Sequence, residues 1–230
     1  MTDLHSRRGR MASMGWALLA RCACAAQPGS DATLAAPVLA DGTRNWNFRV
    51  YLNQDPIGYH NFSVLTHGDT HELKSVAHYL VKVLFINAYH YDHQATESWG
   101  GNCLHRLESS SDDDGTAYTV HGHGDEHGFD VDTTKGHYSV PGCAMSFAYW
   151  NPVMLQQTQL INPETGEDVA VTISRIGEGS VQVHNAPVHA QHYHLHSAKL
   201  EIDLWYSDQG DWLALESALE KGRRLRYVLE

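Results

Sequence analysis

Basic residues and long apolar runs are both scarce in this sequence. Only 16 Lys and Arg stand against 27 Asp and Glu among 230 residues, which gives a formal net charge of −11. This balance argues against nucleic acid and anionic membrane surfaces as the main partners. No uninterrupted apolar run reaches the roughly 18 residues that a membrane-spanning helix needs. The sequence therefore predicts no transmembrane segment.

The signatures of common enzyme classes are also missing. The sequence contains no G-x-S-x-G, no H-E-x-x-H, no phosphate-binding loop and no dinucleotide fingerprint. Ser, His and Asp residues are present, but no spacing orders them into a nucleophilic triad. The sequence therefore predicts no organic cofactor and favours a binding protein over an enzyme.

The N-terminal segment has the features of an export signal. Three arginines between positions 7 and 10 precede a short apolar stretch at 11–20 and an A-x-A-like site at 23–25. We expect residues 1–26 to be a signal peptide, 27–44 a linker and 45–230 a single domain. The alternative is a disordered Ala- and Arg-rich tail that is never cleaved.

Cysteine is rare, with four in the whole chain. Loss of residues 1–26 would leave only Cys103 and Cys143, and an even pair in an exported domain is most simply a disulfide. The alternative is two buried thiols that never meet. The disulfide interpretation goes with a periplasmic or secreted location.

Alternation of apolar and polar residues dominates the rest of the chain, beginning with residues 45–53. Turn signals at 55–58 and 109–115 and a His/Gly/Asp loop at 121–128 separate the predicted strands. One short helix is predicted near 151–157, where Asn151 caps and Pro152 opens the turn. The pattern predicts a mainly β fold, a curved antiparallel sheet that forms a half-barrel or barrel.

The segment from Tyr89 to Trp99 predicts the candidate binding face. In a strand, alternate residues share one face, and here that face carries Tyr89, Tyr91, His93, Glu97 and Trp99. Large aromatics mixed with two titratable groups are typical of a partly polar cavity wall. A packed core face whose polar tips are satisfied by neighbouring strands is the alternative. Three further aromatic residues are predicted to contact the ligand: Tyr149, Trp150 and Trp205.

Histidine is abundant, with 17 in the chain. Imidazoles with nearby carboxylates suit zinc, nickel or copper. The predicted metal ligands are His121, His123 and His127, joined by a second row on one strand face at His192, His194 and His196. The alternative is a solvated loop and the wet face of an amphipathic strand. A shared site requires the two segments to meet.

Four stretches together resemble a bacterial family catalogued as a domain of unknown function. They are residues 46–50 with 57–60, residues 89–103, the FAYW word with Asn151 and Pro152, and the IDLWY word at 202–206. The resemblance spans residues 45–229. The strand order is also similar to exported proteins with a half-barrel sheet, some of which bind lipids on the concave face. No catalytic residues are implied.

The function predicted from these observations is binding of an apolar or amphipathic, lipid-like small molecule on a concave sheet face. His93 and Glu97 would engage its polar head group. Two alternatives stay open. One is a cofactor-independent enzyme that uses His93 and Glu97, and the other is transition-metal binding by the histidine-rich segments.

Overall fold

A computed structural model describes residues 40–83 and 86–230, and most of this part of the chain is β-strand. The predicted signal peptide and most of the predicted linker lie outside the described residues. The first strand begins at Gly42, a few residues before the predicted domain start at position 45. In these two described ranges no helix has the length and apolar character to cross a membrane.

Most strands follow one another with short connections, and the exception is residues 142–158 between β8 and β9. The first eight are β1 (Gly42–Leu52), β2 (Asp55–His67), β3 (Thr70–Val83), β4 (Ile86–Gly100), β5 (Cys103–Asp113), β6 (Thr116–Gly124), β7 (Gly128–Thr133) and β8 (Gly136–Pro141). The others are β9 (Gln159–Ile161), β10 (Asp168–Ala170), β11 (Thr172–Val183), β12 (Ala186–His196), β13 (Glu201–Tyr206), β14 (Trp212–Ala218) and β15 (Arg224–Leu229).

One large sheet contains thirteen of these strands, in the order β11-β12-β13-β14-β15-β1-β2-β3-β4-β5-β6-β7-β8. It consists of two meanders, β1–β8 and β11–β15, which are joined because β15 pairs antiparallel with β1. The sheet curls enough for β11 to touch β15 as well, where Val183 pairs with Leu229. The predicted mainly β class and curved antiparallel sheet are confirmed.

The predicted short helix is present as a 3-10 helix, Pro152–Gln156. Asn151 caps it, since its side chain accepts a hydrogen bond from the backbone N–H of Val153. A second 3-10 turn, Glu220–Gly222, precedes β15. Both of these predicted capping features, the Asn cap and the Pro at the first position, are where the sequence indicated.

Two predicted turns are strands instead. Residues 55–58 belong to β2, and the β1–β2 turn lies just before them, where Asn53 adopts a φ of 58°. Residues 109–113 continue β5, so the turn is restricted to Asp114 and Gly115, both with positive φ. The polar composition of both segments suggested loops. Tight hairpins need only one or two residues in the left-handed conformation, and Asn53 in one turn and Asp114 with Gly115 in the other supply them. Consequently β5 carries a serine-rich inner face.

Inward residues of the curled sheet form two apolar clusters. The main core contains Trp46, Trp99 and Trp212, together with the segment 144–161 that packs against the inward faces of the strands. A smaller cluster surrounds Val50 and Tyr79. Burial of these large side chains is the principal source of stability, at roughly 25 cal/mol per Å² of apolar surface.

The predicted disulfide between Cys103 and Cys143 is present. Cys103 begins β5, and Cys143 follows β8 at the start of the segment that enters the core. Leu104 N–H donates to the Ala144 carbonyl immediately beside the bond. The cross-link therefore fixes the inserted segment to the sheet at its first residue.

Candidate functional site

A cavity of about 170 Å³ lies inside the curled sheet. Strands β2, β3 and β4 form one wall, and β13, β15 and the inserted segment form the other. The lining is Phe62, Leu73, Ala95, Phe147, Pro163, Leu200 and Ile202 among apolar residues, and His60, Ser75, Tyr91, His93, Glu97, Tyr149, Asn162, Glu164 and Tyr227 among polar ones. An interior space with this many polar groups is chemically unlike a hydrocarbon core.

His60 is held in a network of hydroxyl groups. It lies on β2 two residues before Phe62, so strand alternation turns both rings inward, where they stack at 4.1 Å between centroids. Its Nε2 contacts the Ser75 hydroxyl at 2.7 Å and its Nδ1 the Tyr227 hydroxyl at 3.2 Å. Burial, reinforced by nearby His93, holds the pKa of His60 well below its ordinary value.

His93 is the second inward imidazole. It lies on β4, is 5% exposed, and its Nδ1 contacts the Ser111 hydroxyl of β5 at 2.8 Å. Burial lowers its pKa to about 4. Both histidines of the cavity are therefore neutral at pH 7 and act as hydrogen-bonding groups without charge.

Glu97 is a buried carboxyl group at the base of the cavity, 4% exposed. The Ser146 hydroxyl donates to its Oε1 at 3.0 Å, and the Trp99 indole N–H donates to its Oε2 at 2.9 Å. Burial raises its pKa to about 7, and the two hydrogen bonds act in the opposite direction. Its charge therefore changes across neutral pH.

Glu164 brings a second carboxyl group to the cavity from the loop between β9 and β10. The Ser109 hydroxyl donates to the Pro163 carbonyl at 2.5 Å, and the Tyr138 hydroxyl donates to the Gly166 carbonyl at 2.6 Å, which docks the loop against the sheet. Burial raises the pKa of Glu164, and a hydrogen bond from Tyr91 opposes this shift. Loop residues thus complete the polar lining.

Comparison with known proteins places the domain in a family. Residues 48–230 match the model of a domain of unknown function, DUF6134. The chain belongs to this family. Its fold is similar to the crystal structure of a beta-barrel-like protein of the domain-of-unknown-function family DUF1849 from Brucella abortus, with a TM-score of 0.62 and 10% identity over 84% of this chain and 97% of that one. No curated protein gives a significant match.

The structure brings together part of the predicted binding face of this DUF6134 domain. Tyr91, His93, Glu97 and Tyr149 line the cavity. Three further predicted residues lie behind or beside it: Trp99 binds Glu97, Trp150 packs edge-on against Trp99 at 5.6 Å between centroids, and Tyr89 packs against the smaller apolar cluster.

Trp205 lies on the other face of the sheet. Its neighbours Leu204 and Tyr206 are buried in the core, so alternation turns Trp205 outward, where it stacks on His192 at 4.5 Å between centroids. The predicted placement in the cavity wall has to be corrected for this residue. The aromatic pair at 205–206 suggested one cluster, but only every second residue of a strand can face inward.

The predicted metal ligands are not brought together. His121 and His123 lie on β6 and not in a loop, and each contacts a different carboxylate, Glu108 and Asp130. His127 lies in the turn after β6, beside Glu126. Across residues 40–83 and 86–230, no three His, Cys, Asp or Glu side chains are grouped as a metal site.

The glycines of this segment explain why it is a strand. Gly122 faces inward between His121 and His123, and a Cβ there would lie 2.5 Å from the Phe129 ring. Glycine therefore makes room for a core aromatic and does not indicate a flexible loop. The second histidine row, on β12, is separated from β6 by strands β13 to β15 and β1 to β5.

Several residues of the cavity and its surroundings were not predicted from the sequence: His60, Ser75, Glu164 and Tyr227 line the cavity, and Ser111 contacts the lining residue His93. His60 and Ser75 each continue the inward alternation of an apolar strand, which is a signal that could have identified them. Ser111 was assigned to a turn. Glu164 is placed by a loop that folds back onto β5, and no periodicity reports such an approach.

Proposed function

We propose that this domain binds a small molecule with an apolar body and a polar group inside the curled sheet. The observation that carries the proposal is an interior space whose wall combines apolar rings with converging polar side chains, notably His60, His93 and Glu97. Binding sites for small molecules combine these two features. A core without a ligand role fills such space with side chains instead.

The size of the cavity supports a small ligand or one end of a longer amphipathic one. Its volume of about 170 Å³ is below the roughly 300–1,000 Å³ typical of pockets that enclose whole drug-sized molecules. A complete two-chain lipid is therefore too large to be enclosed. The lipid-like ligand expected from the sequence is accordingly narrowed to a short apolar chain or ring with one polar end.

Binding is favoured over the catalytic alternative by the hydrogen-bond partners. In the part of the chain that the structure describes, His93 contacts Ser111 while Glu97 is held by Ser146 and Trp99, so no hydrogen bond joins the two. A pKa of about 4 also makes His93 a weak general base at neutral pH. Use of the pair in catalysis stays a prediction.

The disulfide supports an exported location for this function. Bonds such as Cys103–Cys143 persist in oxidising compartments and are rare where thiols are kept reduced. A periplasmic or secreted protein that binds small amphipathic molecules is consistent with both the bond and the acidic net charge of −11.

Filling the cavity tests the proposal. Ala95 lines the cavity, whereas its neighbour Thr96 is exposed on the outer face of the same strand. We expect native mass spectrometry of freshly purified protein to detect a bound small molecule, which Ala95→Leu loses and Thr96→Leu retains. An unliganded wild type that also fails to bind an apolar fluorescent probe would contradict the proposal.

A further inference from the structure

The charges of the cavity lining are all of one sign. Glu97 and Glu164 are its ionisable acids, and among the described residues that line the cavity none is Lys or Arg. Two lysines adjoin lining residues in the sequence: Lys74 is exposed on the outer face of β3, and Lys199 is exposed and paired with Glu167 outside the cavity, at 3.0 Å. A ligand carboxylate or phosphate would find no positive partner here and would face two carboxyl groups.

The two histidines do not compensate for this absence. Burial lowers the pKa of both His60 and His93, so neither carries a positive charge at pH 7. Protonating either ring in order to meet an anion would work against the burial that keeps it neutral. The imidazoles are therefore suited to hydrogen bonding with uncharged groups, and the carboxyl groups determine which charge the cavity prefers.

Aromatic rings surround the carboxyl groups. Phe62, Tyr91, Phe147, Tyr149 and Tyr227 all line the same space. The face of an aromatic ring carries a negative quadrupole, which attracts ammonium groups most strongly where water is excluded. Carboxylates combined with aromatic faces are the two protein groups that stabilise an organic cation without requiring a metal.

Glu97 also retains capacity to accept from a ligand. Ser146 and Trp99 each donate one hydrogen bond, to different oxygens of the carboxyl group. An ionised carboxylate offers about four lone-pair sites. Roughly half of its acceptor capacity is therefore left for a donor inside the cavity.

We propose that the ligand of this cavity is a small organic cation, a protonated amine carrying a short apolar substituent. This inference rests on the proposed binding function and names its ligand class. The ammonium group would donate to Glu97, with Glu164 as the second carboxylate, while the apolar substituent contacts Phe62, Phe147 and Ile202.

The protonation state of the cavity gives this ligand a characteristic pH dependence. The titratable groups that face the space are His60, Tyr91, His93, Glu97, Tyr149, Glu164 and Tyr227. Because the pKa values of the histidines are lowered and those of the tyrosines raised, Glu97, whose pKa is about 7, is the group that ionises near neutrality, and burial also raises the pKa of Glu164. Amine affinity should therefore rise between pH 6 and pH 8.

Three probes that share a hexyl chain test the ligand class: hexylammonium, hexanol and hexanoate, titrated calorimetrically into the full-length protein at pH 7.5. We expect hexylammonium to bind at least about tenfold tighter than hexanol, as a charge-assisted hydrogen bond implies, and hexanoate to bind weakest. Hexanoate binding as tightly as hexylammonium would overturn the cation assignment but leave the binding function intact. Failure of all three probes would overturn both.

Glu97→Gln separates the carboxylate from general packing. Its amide oxygen can accept from Trp99 and its NH₂ group can donate to Ser146, so the local hydrogen bonds are retained. We expect this variant to lose about tenfold in hexylammonium affinity while its hexanol affinity is unchanged. Glu108→Gln, on the outer face of β5 beside His121, is the matched control and should change neither. Unchanged amine binding by a folded Glu97→Gln would contradict the proposal. If the variant does not fold, the order of affinities of the three probes for the wild-type protein tests the proposal.

Discussion

Histidines on the two faces of this sheet occupy opposite chemical environments. On β4, His93 faces the cavity and contacts a serine hydroxyl, and burial lowers its pKa to about 4. His90 lies on the outer face of the same strand, where hydrogen bonding to Asp112, with Asp114 also nearby, raises its pKa. The direction in which a strand turns a residue thus decides whether the same imidazole is a neutral hydrogen-bonding group or a partner for carboxylates.

The outer pattern extends over several strands. On β12 and β13, Asp203 contacts both His192 at 3.1 Å and His194 at 3.0 Å, and Glu201 contacts His194 at 2.9 Å and His196 at 2.6 Å. Carboxylates lie directly across from imidazoles in the register of the two strands. Such cross-strand pairs are the usual way in which a solvated sheet face is stabilised. They explain much of the histidine content without a metal role.

The largest expected difference between inward and outward histidines is in how the stability of the domain depends on pH. In the unfolded chain His93 binds a proton near pH 6.5, whereas in the folded protein it does so only near pH 4. The contribution of His93 to the free energy of unfolding therefore falls by about 3 kcal/mol as the pH decreases between these two values. We expect His93→Gln to remove this part of the acid sensitivity in urea unfolding at pH 7 and pH 4.5, while the contributions of His60 and the other titratable groups are retained.

His121→Gln is the control on the outer face, because His121 is exposed beside Glu108. It should leave the acid dependence of the free energy of unfolding nearly as in wild type. Equal effects of the two substitutions would remove the distinction between the faces.

A smaller effect on the free energy of unfolding is expected from substitution of Gly122, which lies between two exposed histidines of β6. A Cβ there meets the Phe129 ring at 2.5 Å, and Phe129 is only 1% exposed, so the ring has little room to move. Gly122→Ala should destabilise the domain by about 1–3 kcal/mol, the usual range for overpacking. Gly179→Ala on β11, where nothing lies within 4 Å, should not. Denaturant unfolding of both variants measures the difference, and a neutral Gly122→Ala would show that the inner face is loosely packed.

The smallest effect on stability is expected for the histidine–carboxylate contacts on the outer face of β12 and β13. Hydrogen bonding to Asp203 and then to Glu201 raises the pKa of His194. A raised folded pKa contributes stability that is present at pH values below about 6.5 and is lost as the pH rises through the folded value. Because these side chains are partly solvated, His194→Gln should cost less than about 1 kcal/mol at pH 6, and less still at pH 8. A larger loss of stability in thermal unfolding at pH 6 would mean that these histidine–carboxylate contacts stabilise the domain as much as core packing does.

Strand alternation predicted much of this fold and part of the site. It correctly placed Tyr91, His93 and Glu97 on one face, because period-two patterns report the direction of a side chain wherever the strand is unbroken. It failed at residues 109–113, where serines suggested a turn although the segment continues β5 with Ser109 and Ser111 turned inward and buried. Local composition cannot distinguish a polar turn from a polar lumen, since both favour small hydrogen-bonding side chains.

The remaining differences between the predicted and the observed site arise from a loop that packs against strands distant in sequence. Glu164 enters the cavity because Ser109 and Tyr138, from distant strands, bind the backbone of its loop. Neither contact leaves a periodic trace in residues 162–167. In contrast, Cys103 and Cys143 could be paired by counting cysteines, because only one pairing was possible once the N-terminal segment was set aside.

The pairing of β1 with β15 has a consequence for how the chain assembles. Every other neighbour within each meander can form as soon as the next strand has been synthesised, since consecutive strands pair directly. In contrast, Phe48 and Val50 of β1 pair with Leu229 and Tyr227 of β15, which follow almost the whole length of the domain later. Until then β1 has no partner on that edge, so nearly the entire domain must be available before the cavity has both of its walls.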